Sequence, residues 1–155
     1  MYKMNDELDD LDKRLLNILQ QGKKLTYEQL GEKLGLAAST VHSRVQSLKV
    51  RGVIKRVGPL VDPLKAGLDT IAIIGLSVDP LKMDAVAHKL SFFDQIPLIA
   101  SSTGDHDMIV QILARNEKEL WRFINKNIKP LDGIRSLMDV ASFIDIYKNT
   151  HQVKF

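Results

Sequence analysis

The sequence predicts an α+β chain in two parts, three short helices and a hairpin followed by a longer β-α-β-β-α-β segment. Three observations lead there. Apolar residues recur at helical spacing up to Val50, β-branched pairs flank Gly58-Pro59, and beyond Leu68 strand-like runs alternate with helix-like ones. A chain of 155 residues, 45% hydrophobic and 26% charged, has globular composition, which argues against wholesale disorder and repetitive fibres. The break between the parts falls near 63–68, giving expected domains of 1–64 and 65–155.

In the first part, Leu8, Leu11, Leu15, Ile18 and Leu19 lie on one helical face, and Gly22 ends that segment. Thr26 and Gln29 have capping-box spacing, Leu25 and Leu30 that of a hydrophobic staple, and Gly35 supplies a left-handed stop. A third helix is expected over 38–50. At 100° per residue, Val45 and Leu48 fall within about 40° of Val41, while Ser39, Ser43, Gln46 and Val50 gather opposite, with His42 at the edge. Arg44 stands about 60° from the apolar stripe, close enough for a partly structural role. The segment 52–63 then reads as a hairpin carrying Lys55 and Arg56.

Charge follows the same division. Residues 1–67 hold twelve Lys and Arg against eight Asp and Glu, a net of +4, and residues 68–155 hold ten against eleven, a net of −1. Between Ser39 and Lys65 six basic residues face one acid, Asp62. Helix, tight glycine turn, polar-faced helix and basic hairpin form a winged helix-turn-helix pattern, whose second helix enters the DNA major groove. Candidate base or backbone contacts are Ser39, Thr40, His42, Ser43, Gln46 and Lys49, and candidate phosphate partners are Arg44, Arg51, Lys55 and Arg56.

The stretches Leu-Asp-Asp-Leu-Asp-Lys-Arg-Leu-Leu (8–16), Leu-Gly-Glu-Lys-Leu-Gly-Leu (30–36), Ser-Thr-Val-His-Ser-Arg-Val (39–45) and Leu-Lys-Val-Arg-Gly-Val-Ile (48–54) resemble the Lrp/AsnC family of bacterial and archaeal transcription regulators. The sequence departs from the family pattern in two ways. Ala37 and Ala38 stand where a serine often caps the recognition helix, a loss worth about 0.5–2 kcal/mol, and Lys49 replaces a common Glu.

The second part reads as strands at 68–78, 97–103, 108–113 and 134–147, with helices near 81–93 and at 117–128. This is the order of a ferredoxin-like βαββαβ domain. Ile71, Ile73, Val110, Ile112, Val140 and Ile144 exceed what two short helices are expected to cover, which implies an association surface. The resemblance extends here and implies an effector-binding domain that dimerises through its sheet and often assembles into tetramers or octamers.

Function classes narrow by exclusion. Absent cysteine removes disulfides, thiolate nucleophiles and cysteine-ligated metal sites. No apolar run approaches membrane length, and the acidic start is unlike a targeting peptide, so the expectation is a cytoplasmic chain. The polar cluster at 101–107 offers metal-ligand types without ligand spacing, an imidazole beside carboxylates without a nucleophile, or a plain turn. The resemblance adds a fourth reading: a turn that receives a small effector, usually an amino acid, through Thr103, Gly104, Asp105, His106 and Asp107, closed by Ser136 and Asp139. It puts His106 where the family usually has an aromatic. The sequence thus predicts a non-enzymatic, homodimeric or larger regulator of double-stranded DNA with no cofactor, no metal site and no membrane partner. A metabolic sensor or enzyme whose helical part binds protein is the rival.

Overall fold

The computed structural model describes residues 7–55, 61–148, 150 and 152–155. Helix α1, Asp10–Leu19, starts where the Asp9 carboxylate accepts the Asp12 backbone N–H at 2.7 Å. Helix α2, Tyr27–Leu34, opens with the expected capping box, Thr26 and Gln29 each accepting the other's backbone N–H, and stops at Gly35 with φ of 68°. Helix α3, Ala38–Val50, begins at Ala37 without a side-chain cap. Leu15, Leu16, Leu30, Leu34, Val41, Val45 and Leu48 bury into one core against the partly buried Leu25, Leu36 and Ile54.

The turn between α2 and α3 is tight because the Leu36 N–H reaches back 2.9 Å to the Gly31 carbonyl. A Cβ on Gly31 would overlap the Leu36 carbonyl oxygen. After α3, Gly52 takes φ of 72°, and the N–H groups of Val53 and Ile54 return to the Leu48 carbonyl. The core of the expected hairpin, 56–60, lies outside the described residues.

The second unit is one antiparallel sheet of β1 (Thr70–Val78), β2 (Leu98–Ser101), β3 (Met108–Ala114) and β4 (Ile134–Ser142), in the order β2-β3-β1-β4. A 3₁₀ turn, Pro80–Lys82, leads into α4, Met83–Leu90. Helix α5, Glu117–Phe123, continues into a π-helical turn, Ile124–Ile128, closed by the Lys129 N–H on the Ile124 carbonyl. Ala72, Ile74, Leu76 and Val78 of β1 pack with Val110 and Ile112 of β3 and with Val86, Leu90, Leu120, Ile124 and Ile128 from the helices.

This register corrects the expected association surface. Val110 and Ile112 are fully buried beneath the helices and Val140 packs partly buried against them. Ile71 and Ile73 point to the opposite face, and Ile71 is only 2% exposed. The five of these residues that lie in the sheet therefore divide between its two faces, as the period of two demands, and Ile144 lies beyond its end. Strand β4 is also shorter than 134–147. Ser142 already pairs with Ala72, near the start of β1, so the chain beyond soon runs out of partner and Ile144 and Tyr147 are both 95% exposed.

The described residues form two compact units, one drawn from Met1–Pro59 with Lys148–Phe155, the other from Leu60–Tyr147. The expected 65–155 domain leaves the closing segment with the sheet, whereas its hydrogen bonds run to α1: Gln20 and Asn17 hold the backbone of Val153 and Phe155.

Gly31→Ala should lower the stability of the helical unit by about 1–3 kcal/mol, the usual cost of forcing atoms into a packed turn. Chemical denaturation followed by helical signal measures it, and an unchanged midpoint would show that the turn relaxes freely.

Candidate nucleic-acid interface and effector turn

On α3 the side chains of Ser39, Thr40, His42, Ser43, Gln46 and Lys49 are all exposed while Val41, Val45 and Leu48 are buried. One helix thus anchors itself with one face and offers hydroxyl, imidazole, amide and ammonium groups on the other. Tyr27 packs edge-on against His42, ring centres 5.1 Å apart, and the Gln46 and His42 Nε2 atoms lie 3.5 Å apart. Val50, 89% exposed, adds an apolar group to this polar side.

Two cations expected at phosphate are instead engaged inward. Arg44 Nη1 lies 2.7 Å from Asp9 Oδ2 and 2.7 Å from Asp12 Oδ1, and Arg51 Nη1 lies 3.4 Å from Asp12 Oδ2. Asp12 is buried, and a buried carboxylate is tolerated only when paired and hydrogen-bonded. The pairing ties α3 to α1 and gives Arg44 and Arg51 a structural role. Asp9 is held below the usual carboxylate range by the Asp12 N–H and then by Arg44, while Arg44 is raised by Asp9 and Asp12. Lys55 is exposed, and Arg56 lies outside the described residues.

The turn from β2 to β3 is fixed by its own backbone. Ser102 N–H donates to the Asp107 carbonyl at 3.1 Å, Asp107 N–H donates to the Leu76 carbonyl at 3.0 Å, and Gly104 has φ of 112°. Asp107 Oδ2 accepts from the Val78 N–H at 2.8 Å and the Ser77 hydroxyl at 3.1 Å. The Val78 N–H, then Ser77, lowers its pKa. Asp107 thus fastens the turn to β1. Thr103, Gly104 and Asp105 are exposed.

His106 and Asp139 meet over the sheet, with His106 Nε2 3.3 Å from Asp139 Oδ1. Gly75 makes room for them, since a Cβ there would overlap the Asp139 carboxylate and lie 2.7 Å from the imidazole. His106 Nδ1 is buried without a hydrogen-bond partner. Asp139 pairs with Gly75 and Ser136 with Ser77, so both share the sheet face opposite the helices. Ser136 also borders a shallow cleft with Trp121, Lys129, Ile134, Arg135 and Leu137.

Sequence reasoning missed Gly75, Ser77 and Val78. The signal for Gly75 was present: an isolated glycine inside the run Ile71-Ala-Ile-Ile-Gly-Leu-Ser-Val78 marks close approach of another group. Among the described residues no three His, Asp or Glu side chains converge on a metal position, and no helix is long and apolar enough to cross a membrane.

A helical DNA-reading unit joined to a sheet with a polar turn defines a two-part regulator. Residues 8–49 match the AsnC-type helix-turn-helix domain and residues 71–148 the Lrp/AsnC ligand binding domain. The chain belongs to the Lrp/AsnC family of transcriptional regulators. It is 32% identical over 152 residues to the HTH-type transcriptional regulator FL11 of Pyrococcus furiosus, covering 97% of this chain and 98% of that one. It is 33% identical to the uncharacterized HTH-type transcriptional regulator PH0140 of Pyrococcus horikoshii, covering 84% and 82%. Its fold is similar to E. coli AsnC, with TM-score 0.83, 22% identity and 99% of both chains covered. It is also similar to the regulator NMB0573 of Neisseria meningitidis in complex with L-Met, with TM-score 0.83, 20% identity and coverage of 95% and 96%.

Asp9, lowered in the folded state, contributes stability that is present above its unfolded value of 3.8 and lost as pH falls through the folded value. Asp9→Asn keeps an N-cap acceptor but removes the charge. Its melting temperature should lie below wild type at pH 7, with the gap closing below about pH 4. A pH-independent gap, read by thermal melts, would show that the charge is not what matters.

Proposed function

We propose that the protein acts in the cytoplasm as a homodimer that reads duplex DNA through the exposed face of α3 and whose DNA affinity responds to a small amino-acid effector. The single observation that carries the DNA reading is the division of α3 into a fully buried stripe and a face of Ser39, Thr40, His42, Ser43, Gln46 and Lys49. Groups of these kinds reach base edges and phosphates from a helix in the major groove. Lys55 and Arg56 follow as backbone contacts. Arg44 and Arg51 support the reading helix from behind.

A second copy of the chain is the partner of the open sheet face. That face carries Leu98, Ile109, Leu113, Ile73 and Ala141 by register, with Leu98 46% exposed. A two-fold dimer sets two recognition helices against half-sites about one helical turn apart. Further assembly into tetramers or octamers follows the family pattern. The effector reading draws on the ligand-binding match over 71–148 and on the L-Met complex of the Neisseria relative. With Asp107 engaged at Val78, Asp139 is the carboxylate placed to receive an effector ammonium, beside His106, and the exposed turn at Thr103–Asp105 faces its carboxylate.

Fluorescence anisotropy on duplex DNA tests the interface. Affinity should fall by about 10³ or more between 50 and 200 mM salt, as counterions released by several lysine and arginine contacts return. Gln46→Ala should narrow discrimination between sequence variants by about 1–3 kcal/mol, while Lys55→Ala weakens all sequences alike. The reverse pattern would refute this docking. An effector found among the twenty amino acids should shift affinity about 5–150-fold. Asp139→Ala should remove that shift and leave effector-free binding intact, and a retained shift would place the sensor elsewhere.

A further inference from the structure

Two side chains on the outside of α1 grip a piece of main chain distant in sequence, and neither DNA reading nor effector sensing uses them. Gln20 accepts the Val153 N–H on Oε1 at 2.7 Å and donates from Nε2 to the Val153 carbonyl at 2.9 Å. Asn17, one helical turn earlier, repeats the pattern on Phe155, accepting its N–H and donating to its carbonyl oxygen, both at 3.3 Å. Gln152 Nε2 donates to the Gln20 carbonyl at 2.7 Å, one of the carbonyls that the end of α1 leaves without an intrahelical partner.

The chemistry is selective in a particular way. A carboxamide is the one neutral side-chain group that offers both a donor and an acceptor in the geometry of a peptide bond. Two of them, three residues apart on one helix face, meet residues two apart in the partner segment, as a neighbouring strand would. Four of the five bonds go to the main chain of Val153 and Phe155, so the site recognises backbone.

The position of the segment gives the contact a consequence. Residues 152–155 follow β4, the strand that carries Ser136 and Asp139, by only ten positions after Ser142. The helical unit is therefore joined to the sheet unit twice, by the chain that leaves α3 and by the chain that leaves β4. One linker leaves two units free to reorient within its reach, whereas a second closes a loop and removes most of that freedom. We propose that Asn17 and Gln20 form a docking site for the main chain of residues 152–155, and that the docked segment is a second tether restricting reorientation of the helical unit against the sheet unit. In a dimeric regulator, such a tether limits the half-site spacings that two recognition helices can meet.

The test uses the full chain and needs neither DNA nor effector, so its outcome is separate from that of the proposed function. Amide exchange by NMR should show the Val153 and Phe155 N–H groups protected at least tenfold in wild type and unprotected in the double variant Asn17→Ala/Gln20→Ala. ¹⁵N relaxation should give both units one rotational correlation time in wild type and a distinctly shorter one for the helical unit in the double variant. Deletion of residues 152–155 should give the same split with Asn17 and Gln20 kept, and α2 and α3 amide shifts unchanged in that variant show that the helical unit remains folded. Unprotected Val153 and Phe155 in wild type would overturn the docking. Equal correlation times in both variants would overturn the tether.

Discussion

The buried carboxylate of Asp12 is the constraint on which the DNA-reading half depends. It lies inside α1, faces Arg44 and Arg51 from the far side of α3, and would be costly without them. The pairing sets which way α3 is turned. With Arg44 drawn inward, the apolar stripe of Val41, Val45 and Leu48 faces the core and the polar side chains face outward. The loop from Gly31 to Leu36 then fixes the distance between α2 and α3, because there is no room for a side chain at Gly31. The exposed polar side chains of α3 are carried by a helix whose opposite face is held in the core.

The sheet unit follows a similar logic around a glycine. Gly75 leaves a gap on the open face of β1, and His106 and Asp139 close over it from the β2–β3 turn and from β4. Asp107 locks that turn to Ser77 and Val78, so His106 is delivered to its place by backbone geometry. Three elements remote in sequence thereby converge on one spot.

Much of this was legible in the sequence. The bounds of α3, the Thr26–Gln29 capping box and the missing cap at Ala37 depend on neighbours within four residues, and local signals report them fully. The order of strands and helices was legible for the same reason. The inward role of Arg44 and Arg51 was not, because their partners lie 32 to 39 positions earlier and charge alone does not say whether a cation meets phosphate or carboxylate. Only the offset of Arg44 from the polar face hinted at it. Strand β4 was the hardest to read. Register shifts near Met138 and Arg135 leave Ile134, Leu137 and Val140 all packed on the core at a spacing of three, so the period of two that identifies a half-buried strand is broken. The apolar residues assigned to one surface lie on two because the register with β1 becomes visible only in the pairing. Asp107 looked like a free ligand group because its donors, the Ser77 hydroxyl and the Val78 N–H, belong to another strand.

The outward face of α3 should meet DNA while Arg44 stays with Asp9 and Asp12. An NMR titration with a duplex at low salt, following backbone amides together with arginine side-chain nitrogens, tests both halves at once. Perturbations should concentrate at Ser39, Thr40, His42, Ser43, Gln46 and Lys49, with the Arg44 guanidinium signal unmoved. Perturbation confined to the sheet unit, or an Arg44 signal that shifts with bound phosphate while α3 amides stay still, would contradict it.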